Sequence, residues 1–163
     1  GAAYIYVRSD TGWILEEKIN IDAYAYSVSL DGDTAIISSL RTEESFASIY
    51  TRSENGWIED AKISPYRHIG TFITPSSVSI NGNIAVIGYY SLDDTYIFVR
   101  SEREWMPQAQ LRVSGRTKGD RFGTAVSVSG NTIIIGANGD DDQGTDSGSA
   151  WIYDLSGYKL LPE

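Results

Sequence analysis

The sequence predicts an all-β fold made of repeated four-stranded units, and three observations point to it. Two different strand-like segments recur along the 163 residues with a period of roughly 50 residues. Aromatic residues make up 12% of the chain, and there are 16 Gly, a composition typical of strands joined by tight turns. The length predicts one domain over residues 1–163.

The first recurring segment is an aromatic and aliphatic run that ends in Arg-Ser in its first three copies. Its copies, the last of them diverged, lie at residues 4–9, 48–53, 96–101 and 151–156. A Trp follows a few residues after each of the first three copies, at Trp13, Trp57 and Trp105. Each copy therefore predicts a pair of strands joined by a short turn.

The second recurring segment consists of two apolar runs that flank Gly-Asp or Gly-Asn. Its copies align without a gap at residues 27–37, 77–87 and 125–135. Gly and Asn tolerate the positive φ of tight turns, so each copy predicts a β-hairpin. The period-2 alternation in Ser27-Val28-Ser29-Leu30 and its copies excludes a helical solenoid.

The two segments together predict about fourteen strands, or about three and a half units of four. A period of roughly 50 residues with four antiparallel strands is typical of a β-propeller blade. Propellers need about four to eight blades to close. The chain is therefore expected to be an incomplete ring, either part of a larger propeller or completed by blades of another chain.

The third repeat begins with Phe122-Gly123, its hairpin ends in Gly136-Ala137-Asn138, and an acidic linker follows at 139–150. With these residues at the FG and GAP positions, it resembles the FG-GAP repeats of integrin α-subunit propellers and of secreted bacterial and algal repeat proteins. The other repeats keep the strands and lose the motif, with Tyr24-Ala25 and Thr74-Pro75 at the FG position.

The resemblance implies that the inner hairpin precedes the outer hairpin in each blade. It places an outer hairpin at residues 3–20 and blades at approximately 24–63, 74–111 and 122–161. The first outer hairpin then has no inner hairpin before it.

The resemblance also implies one calcium site in the acidic linker. Integrin-type loops place oxygen ligands at alternating positions, which here fall on Asn138, Asp140, Asp142, the carbonyl of Gly144, and Asp146. Oxygen ligands on a flexible loop suit calcium, whose role would be to fix the loop. The alternative is a solvated acidic turn without a metal.

The acidic balance of the chain argues against two classes of partner. The formal net charge is −9, from 13 Lys and Arg against 22 Asp and Glu. Such a surface repels nucleic acid and anionic lipid. Apolar stretches are too short to span a bilayer, so neither nucleic acid binding nor direct membrane insertion is expected.

The candidate catalytic residues do not form a recognisable motif. The chain has no Cys, and its one His, His68, has no Gly-x-Ser-x-Gly element beside it. Acidic pairs such as Glu43-Glu44 are adjacent in sequence, so in a strand they point to opposite faces. No catalytic residue is predicted, and the chain is expected not to be an enzyme.

Two sets of side chains leave alternatives open. Arg8, Arg52 and Arg100 each end an outer strand, where they either protect a sheet edge or pair with carboxylates of the next strand. The Tyr and Trp residues either pack between blades or form an exposed binding patch.

These features predict a non-catalytic protein-binding or scaffold module, an accessory subunit or fragment of a larger extracytoplasmic protein or complex. The expected partner is a protein, or further propeller blades from another chain. The alternative function is a carbohydrate-binding or glycan-hydrolysing propeller, which needs carboxylates and aromatic residues that converge at one mouth of the ring.

Overall fold

The computed structural model describes residues 1–40, 45–64, 75–102, 104–113 and 119–157. These residues form thirteen strands and one short 3-10 turn, Tyr90–Leu92. The strands are β1 Ala2–Ser9, β2 Gly12–Asn20, β3 Tyr24–Asp31, β4 Thr34–Leu40, β5 Ser45–Ser53, β6 Gly56–Ile63, β7 Ser77–Asn81, β8 Ile84–Tyr89, β9 Asp94–Ser101, β10 Glu104–Leu111, β11 Phe122–Ser129, β12 Thr132–Ala137 and β13 Ser149–Asp154. His68 and the strand expected near residues 158–161 lie outside the described residues.

The strands form four antiparallel sheets in chain order. Sheet I contains β1 and β2, sheet II contains β3 to β6, sheet III contains β7 to β10, and sheet IV contains β11 to β13. Within each sheet, strands that follow one another in sequence are hydrogen-bonded neighbours. The predicted fold class, an all-β chain of four-stranded antiparallel blades, is confirmed.

The inner hairpins turn where the Gly-Asn and Gly-Asp pairs predict. Gly32, Gly82 and Gly130 have φ of 55°, 55° and 54°. Gly is the first of the two turn residues in each hairpin, and a positive φ there is the geometry of a type II′ turn. A residue with a side chain adopts this conformation only with strain, so these glycines fix the hairpin register.

The sheets stack face to face, and three apolar clusters lie between them. Ile5 and Ile19 of sheet I pack with Ile37 and Trp57 of sheet II. The second cluster joins sheets II and III through residues that include Ile36, Ile49, Ile87, Phe98 and Trp105. The third joins sheets III and IV through residues that include Val86, Ile97, Phe122, Ile133 and Ile135.

The arginines that end the outer strands pair across the stack. Arg52 on β5 lies 2.8 Å from Glu16 on β2, and Arg100 on β9 lies 3.3 Å from Asp60 on β6. Both carboxylates belong to the preceding sheet and not to the next strand of the same sheet. The pairs are partly exposed and therefore contribute little to stability, but they align neighbouring outer strands.

The stack does not close into a ring within the described part of the chain. Sheet contacts run from I to II, II to III and III to IV, and sheet IV does not pack on sheet I. Among the described residues, one face of the stack is therefore open at each end.

Over the same residues, no helix has the length and apolar character needed to cross a bilayer.

Candidate functional site

Asp140 anchors the acidic loop between β12 and β13. Its Oδ1 accepts the backbone N–H of Asp142 at 2.9 Å, and its Oδ2 accepts the hydroxyl of Ser149 at 2.6 Å. The hydrogen bond from Ser149, and to a smaller extent that from Asp142, lowers the pKa of Asp140 below its usual value, because both bonds stabilise the charged carboxylate. A depressed folded-state pKa means that this stabilisation is present above the ordinary aspartate pKa and is lost as the pH falls through the folded-state value.

The remainder of the loop is organised by Asp141 and by backbone groups. Asp141 Oδ1 accepts the N–H of Asp146 at 2.6 Å. The carbonyl of Asp140 accepts the N–H of Gly148 at 2.9 Å. Gly144 has a φ of 133°, which lets the chain reverse between Asp141 and Asp146. Asp141, which is not among the predicted metal ligands, therefore shapes the loop as much as Asp140 does.

Two of the five predicted calcium ligands, Asn138 and Asp140, are engaged in hydrogen bonds in this conformation. Asn138 Oδ1 accepts the hydroxyl of Thr124 at 3.1 Å, and both oxygens of Asp140 are hydrogen-bonded. Asp142, Gly144 and Asp146 are exposed. No three His, Cys, Asp or Glu side chains lie together as a metal site anywhere in the described residues. The all-oxygen donor set suits calcium, and the site stays a prediction.

The FG motif of the third repeat is a close backbone contact between sheets III and IV. Gly123 has a φ of 92° at a break in the β11–β12 register, and its carbonyl accepts the hydroxyls of Ser76 at 3.1 Å and Ser77 at 2.9 Å. The N–H of Phe122 donates to Asp93 Oδ1 at 3.2 Å. A Cβ on Gly123 would lie 2.9 Å from the carbonyl oxygen of Asp94. Only Gly fits this bulge.

Gly88 of sheet III, the first residue at the GAP position of the second repeat, contacts that bulge. A Cβ on Gly88 would collide with the carbonyl oxygen of Gly123. The FG glycine of one blade thus packs on the GAP glycine of the blade before it. This contact explains why both motif positions require Gly at this junction.

Side chains of one inner strand bind the backbone of the next inner strand. Between sheets II and III, Ser27, Ser29 and Asp31 accept the N–H groups of Val78 at 3.2 Å, Ile80 at 3.2 Å and Gly82 at 2.6 Å. Between sheets III and IV, Ser79 accepts the N–H of Val128 at 3.0 Å, and Asn81 accepts that of Gly130 at 2.7 Å. These bonds satisfy N–H groups that an edge strand otherwise leaves unpaired.

The open face of sheet IV carries apolar side chains and a cavity. Ile134 is 44% exposed and Ile152 is 72% exposed. Beside them lies a shallow cavity of about 430 Å³. It is lined by Thr124, Ala125, Gly136, Ala137, Asn138, Gly148, Ser149 and Ala150.

The open face at the other end of the stack is aromatic. Tyr6 and Trp13 of sheet I are exposed, although the residues at the same positions of sheet II, Tyr50 and Trp57, are buried. Large exposed side chains also lie on the inner strand of sheet II, beyond the edge of sheet I. They are Tyr24, Tyr26, Val28 and Leu30.

Sequence reasoning missed the inner-strand serines and did not identify the side chains that the open faces of the incomplete ring expose. The spacing of Ser27 and Ser29, repeated at Ser77 and Ser79, was a usable signal, because a polar residue at every second position of an edge strand lies on one face. No sequence signal marks which copies of an apolar position remain uncovered.

Comparisons with known proteins agree with this architecture. The crystal structure of the computationally designed Ika4 protein is similar at a TM-score of 0.53 and 10% identity, over 88% of this chain and 74% of that chain. This likeness concerns the fold alone. No curated protein sequence matches the chain. The family model of the FG-GAP repeat matches residues 105–153, so the predicted FG-GAP resemblance is confirmed over that segment.

Proposed function

We propose that this chain is a non-catalytic protein-binding module of a larger extracytoplasmic protein or complex. The observation that carries this proposal is the pair of open faces on the stack. Positions that are buried at the internal junctions, such as Ile36 and Trp57, are exposed at the ends as Ile134 and Trp13. Contiguous exposed apolar surface of this kind marks interaction sites.

The repeat and the surface charge support the same class of function. FG-GAP repeats typically form propeller modules that bind proteins outside the cytoplasm, and residues 105–153 match that repeat. The net charge of −9 keeps such a surface soluble and disfavours nucleic acid. The rigid sheets would present the two faces to a protein partner or to further blades of another chain.

Native mass spectrometry of the protein isolated from its source tests the proposal. We expect an assembly heavier than the 17.9 kDa of this chain, from which a partner dissociates at higher collision energy. Replacing Trp13 or Ile152 with Asp should reduce the assembled fraction, because a carboxylate on an apolar contact must lose its hydration. A source protein that is uniformly 17.9 kDa and unaffected by these substitutions would contradict the proposal.

One calcium ion bound by the 138–146 loop is part of the proposal. Its ligands would be Asn138, Asp140, Asp142, the carbonyl of Gly144, and Asp146, and its role would be structural. Calcium that binds only the folded state raises the melting temperature. Changing Asp140→Ala together with Asp142→Ala should therefore abolish the rise that calcium produces in differential scanning calorimetry.

A matched control removes two carboxylates from exposed hairpin turns, Asp10→Ala with Glu54→Ala. It changes the net charge equally and should keep the calcium-dependent rise in melting temperature. An unchanged rise in the loop double variant would retire the site, and so would the absence of any rise in the unmodified protein.

The aromatic face of sheets I and II also favours the alternative of carbohydrate binding. Exposed Tyr and Trp rings, here Tyr6, Trp13 and Tyr24, offer flat apolar surfaces to the similarly flat faces of sugar rings. A glycan array distinguishes the two functions. Selective glycan binding that Trp13→Ala removes would favour the carbohydrate function over the protein-binding one.

A further inference from the structure

The open face of sheet IV repeats the face by which sheet III receives sheet IV. The strand registers establish the equivalence: Gly88 pairs with Ser77 and Thr95 in sheet III, as Gly136 pairs with Ala125 and Ala150 in sheet IV. Positions of β7, β8 and β9 on the covered face of sheet III therefore have counterparts on β11, β12 and β13 of sheet IV.

The cavity on sheet IV is the counterpart of the place that Gly123 fills on sheet III. Gly123 lies against Gly88, with Ser77 and Thr95 on either side. Their counterparts Gly136, Ala125 and Ala150 all line the cavity. Thr124, which precedes Ala125 as Ser76 precedes Ser77, also lines the cavity, and its hydroxyl donates to Asn138 Oδ1 at 3.1 Å.

The apolar part of the two faces corresponds in the same way. Val86 and Ile97 pair in sheet III and are buried beneath sheet IV. Ile134 and Ile152 pair in sheet IV at the same positions and are exposed. Branched aliphatic side chains therefore occupy the same two positions on both sheets, and on sheet IV they are exposed where sheet III contacts its neighbour.

The hydrogen-bonding side chains of the inner strand also correspond. Ser79 and Asn81 accept N–H groups from β11. Their counterparts Ser127 and Ser129 are exposed on β11, and neither hydroxyl bonds to another described residue. They could accept the N–H groups of a further inner strand, as the side chains of β7 do.

We infer that the open face of sheet IV binds the inner β-hairpin of a propeller blade in a partner chain, and that a glycine bulge of this hairpin fills the cavity. The exposed inner hairpin of this chain, β3–β4, does not meet that description, because its register shift between Ala25 and Ser27 contains no glycine with a positive φ. The inference rests on the proposed function and specifies the partner: an alternating apolar hairpin with Gly at a positive-φ bulge near its start.

A cyclic peptide with the sequence of residues 120–137 provides the probe, since this hairpin docks on the counterpart face within the chain itself. Titrated into the ¹⁵N-labelled protein, it should shift the amide resonances of Ala125, Gly136 and Ala150 with a Kd below about 1 mM. The amide of Gly88, which sheet IV already covers, should not shift.

Two protein variants test the open face of sheet IV, and one peptide variant tests the glycine bulge. Gly136→Val fills the cavity and should weaken binding at least tenfold, while its melting temperature stays unchanged because a Cβ there lies 3.6 Å from its nearest neighbour, the Cβ of Ala125. Ile152→Asp is the second protein variant and should weaken binding on the same face. A peptide with Gly123→Val should not bind the unmodified protein.

Absence of shifts at 1 mM peptide, shifts confined to sheets I and II, or equal binding by Gly136→Val would each overturn the inference. Self-association of the protein that Gly136→Val abolishes would identify a second copy as the occupant and would overturn it as well. If native mass spectrometry finds a partner that Gly136→Val does not release, the proposed function stands and only this assignment of the face fails.

Discussion

Changing Trp105→Ala is expected to lower the free energy of unfolding by about 3–5 kcal/mol, the range for an aromatic side chain removed from a core. Trp105 is 7% exposed and lies in the cluster between sheets II and III with Phe98 and Ile49. Its removal leaves a cavity that neighbouring strands cannot fill, because hydrogen bonds within each sheet fix their spacing. Urea unfolding followed by tryptophan fluorescence and circular dichroism measures the change.

The matched control is Trp13→Ala at the same position of sheet I. Trp13 is 72% exposed on an end face, so its loss should change the free energy of unfolding by about 0.5 kcal/mol or less. The two positions are equivalent, because Trp105 pairs with Arg100 and Trp13 pairs with Arg8, and each Arg ends the neighbouring strand. Equal effects of the two substitutions would show that sheet I is covered in solution or that the II–III cluster is not formed.

The second large effect is expected from Gly88→Val. A side chain at Gly88 collides with the carbonyl of Gly123, which two serine hydroxyls hold in place. Overpacking of this kind costs about 1–3 kcal/mol, and we expect the upper end because a backbone atom has to move. Separation of sheet IV from sheet III should appear as increased hydrogen exchange in β11 and β12.

Gly136→Val is the matched control for this prediction. It places the same side chain at the same strand position one blade later, where a Cβ makes only an ordinary contact of 3.6 Å with the Cβ of Ala125. The free energy of unfolding should change by about 0.5 kcal/mol or less. If Gly136→Val is as destabilising as Gly88→Val, the proposed counterpart relation between the two faces is wrong.

Much of the architecture was predictable because it depends on local chemistry. The alternation in residues 77–80 and the apolar run at 84–87 predict two strands, and Gly82 at a positive φ fixes the turn between them. The same pattern at the other inner hairpins makes the repeat visible without any tertiary information. The FG and GAP positions could be recognised as motifs, although their physical role, a backbone contact between Gly123 and Gly88, could not.

The candidate site was less predictable, because it depends on neighbours that sequence does not specify. Val28 and Val78 occupy the same position in nearly identical segments, yet Val28 is 64% exposed and Val78 is 5% exposed. The spacing of the acidic loop predicted ligands at alternating positions. In the fold, Asp140 accepts the hydroxyl of Ser149, and Asp141, which the alternation does not select, accepts the N–H of Asp146.

The sequence by itself determined the strands, the turns, the four-stranded repeat and the number of blades, because backbone conformation and polar–apolar alternation act over a few residues. Only the tertiary structure decided which copies of each apolar position are covered, where the inner-strand serines bind, and which carboxylates hold the acidic loop. Those features depend on residues about one blade apart in sequence that meet across stacked sheets. A side chain is buried only where two sheets pack together, and the outer face of an end sheet is not packed against another described sheet.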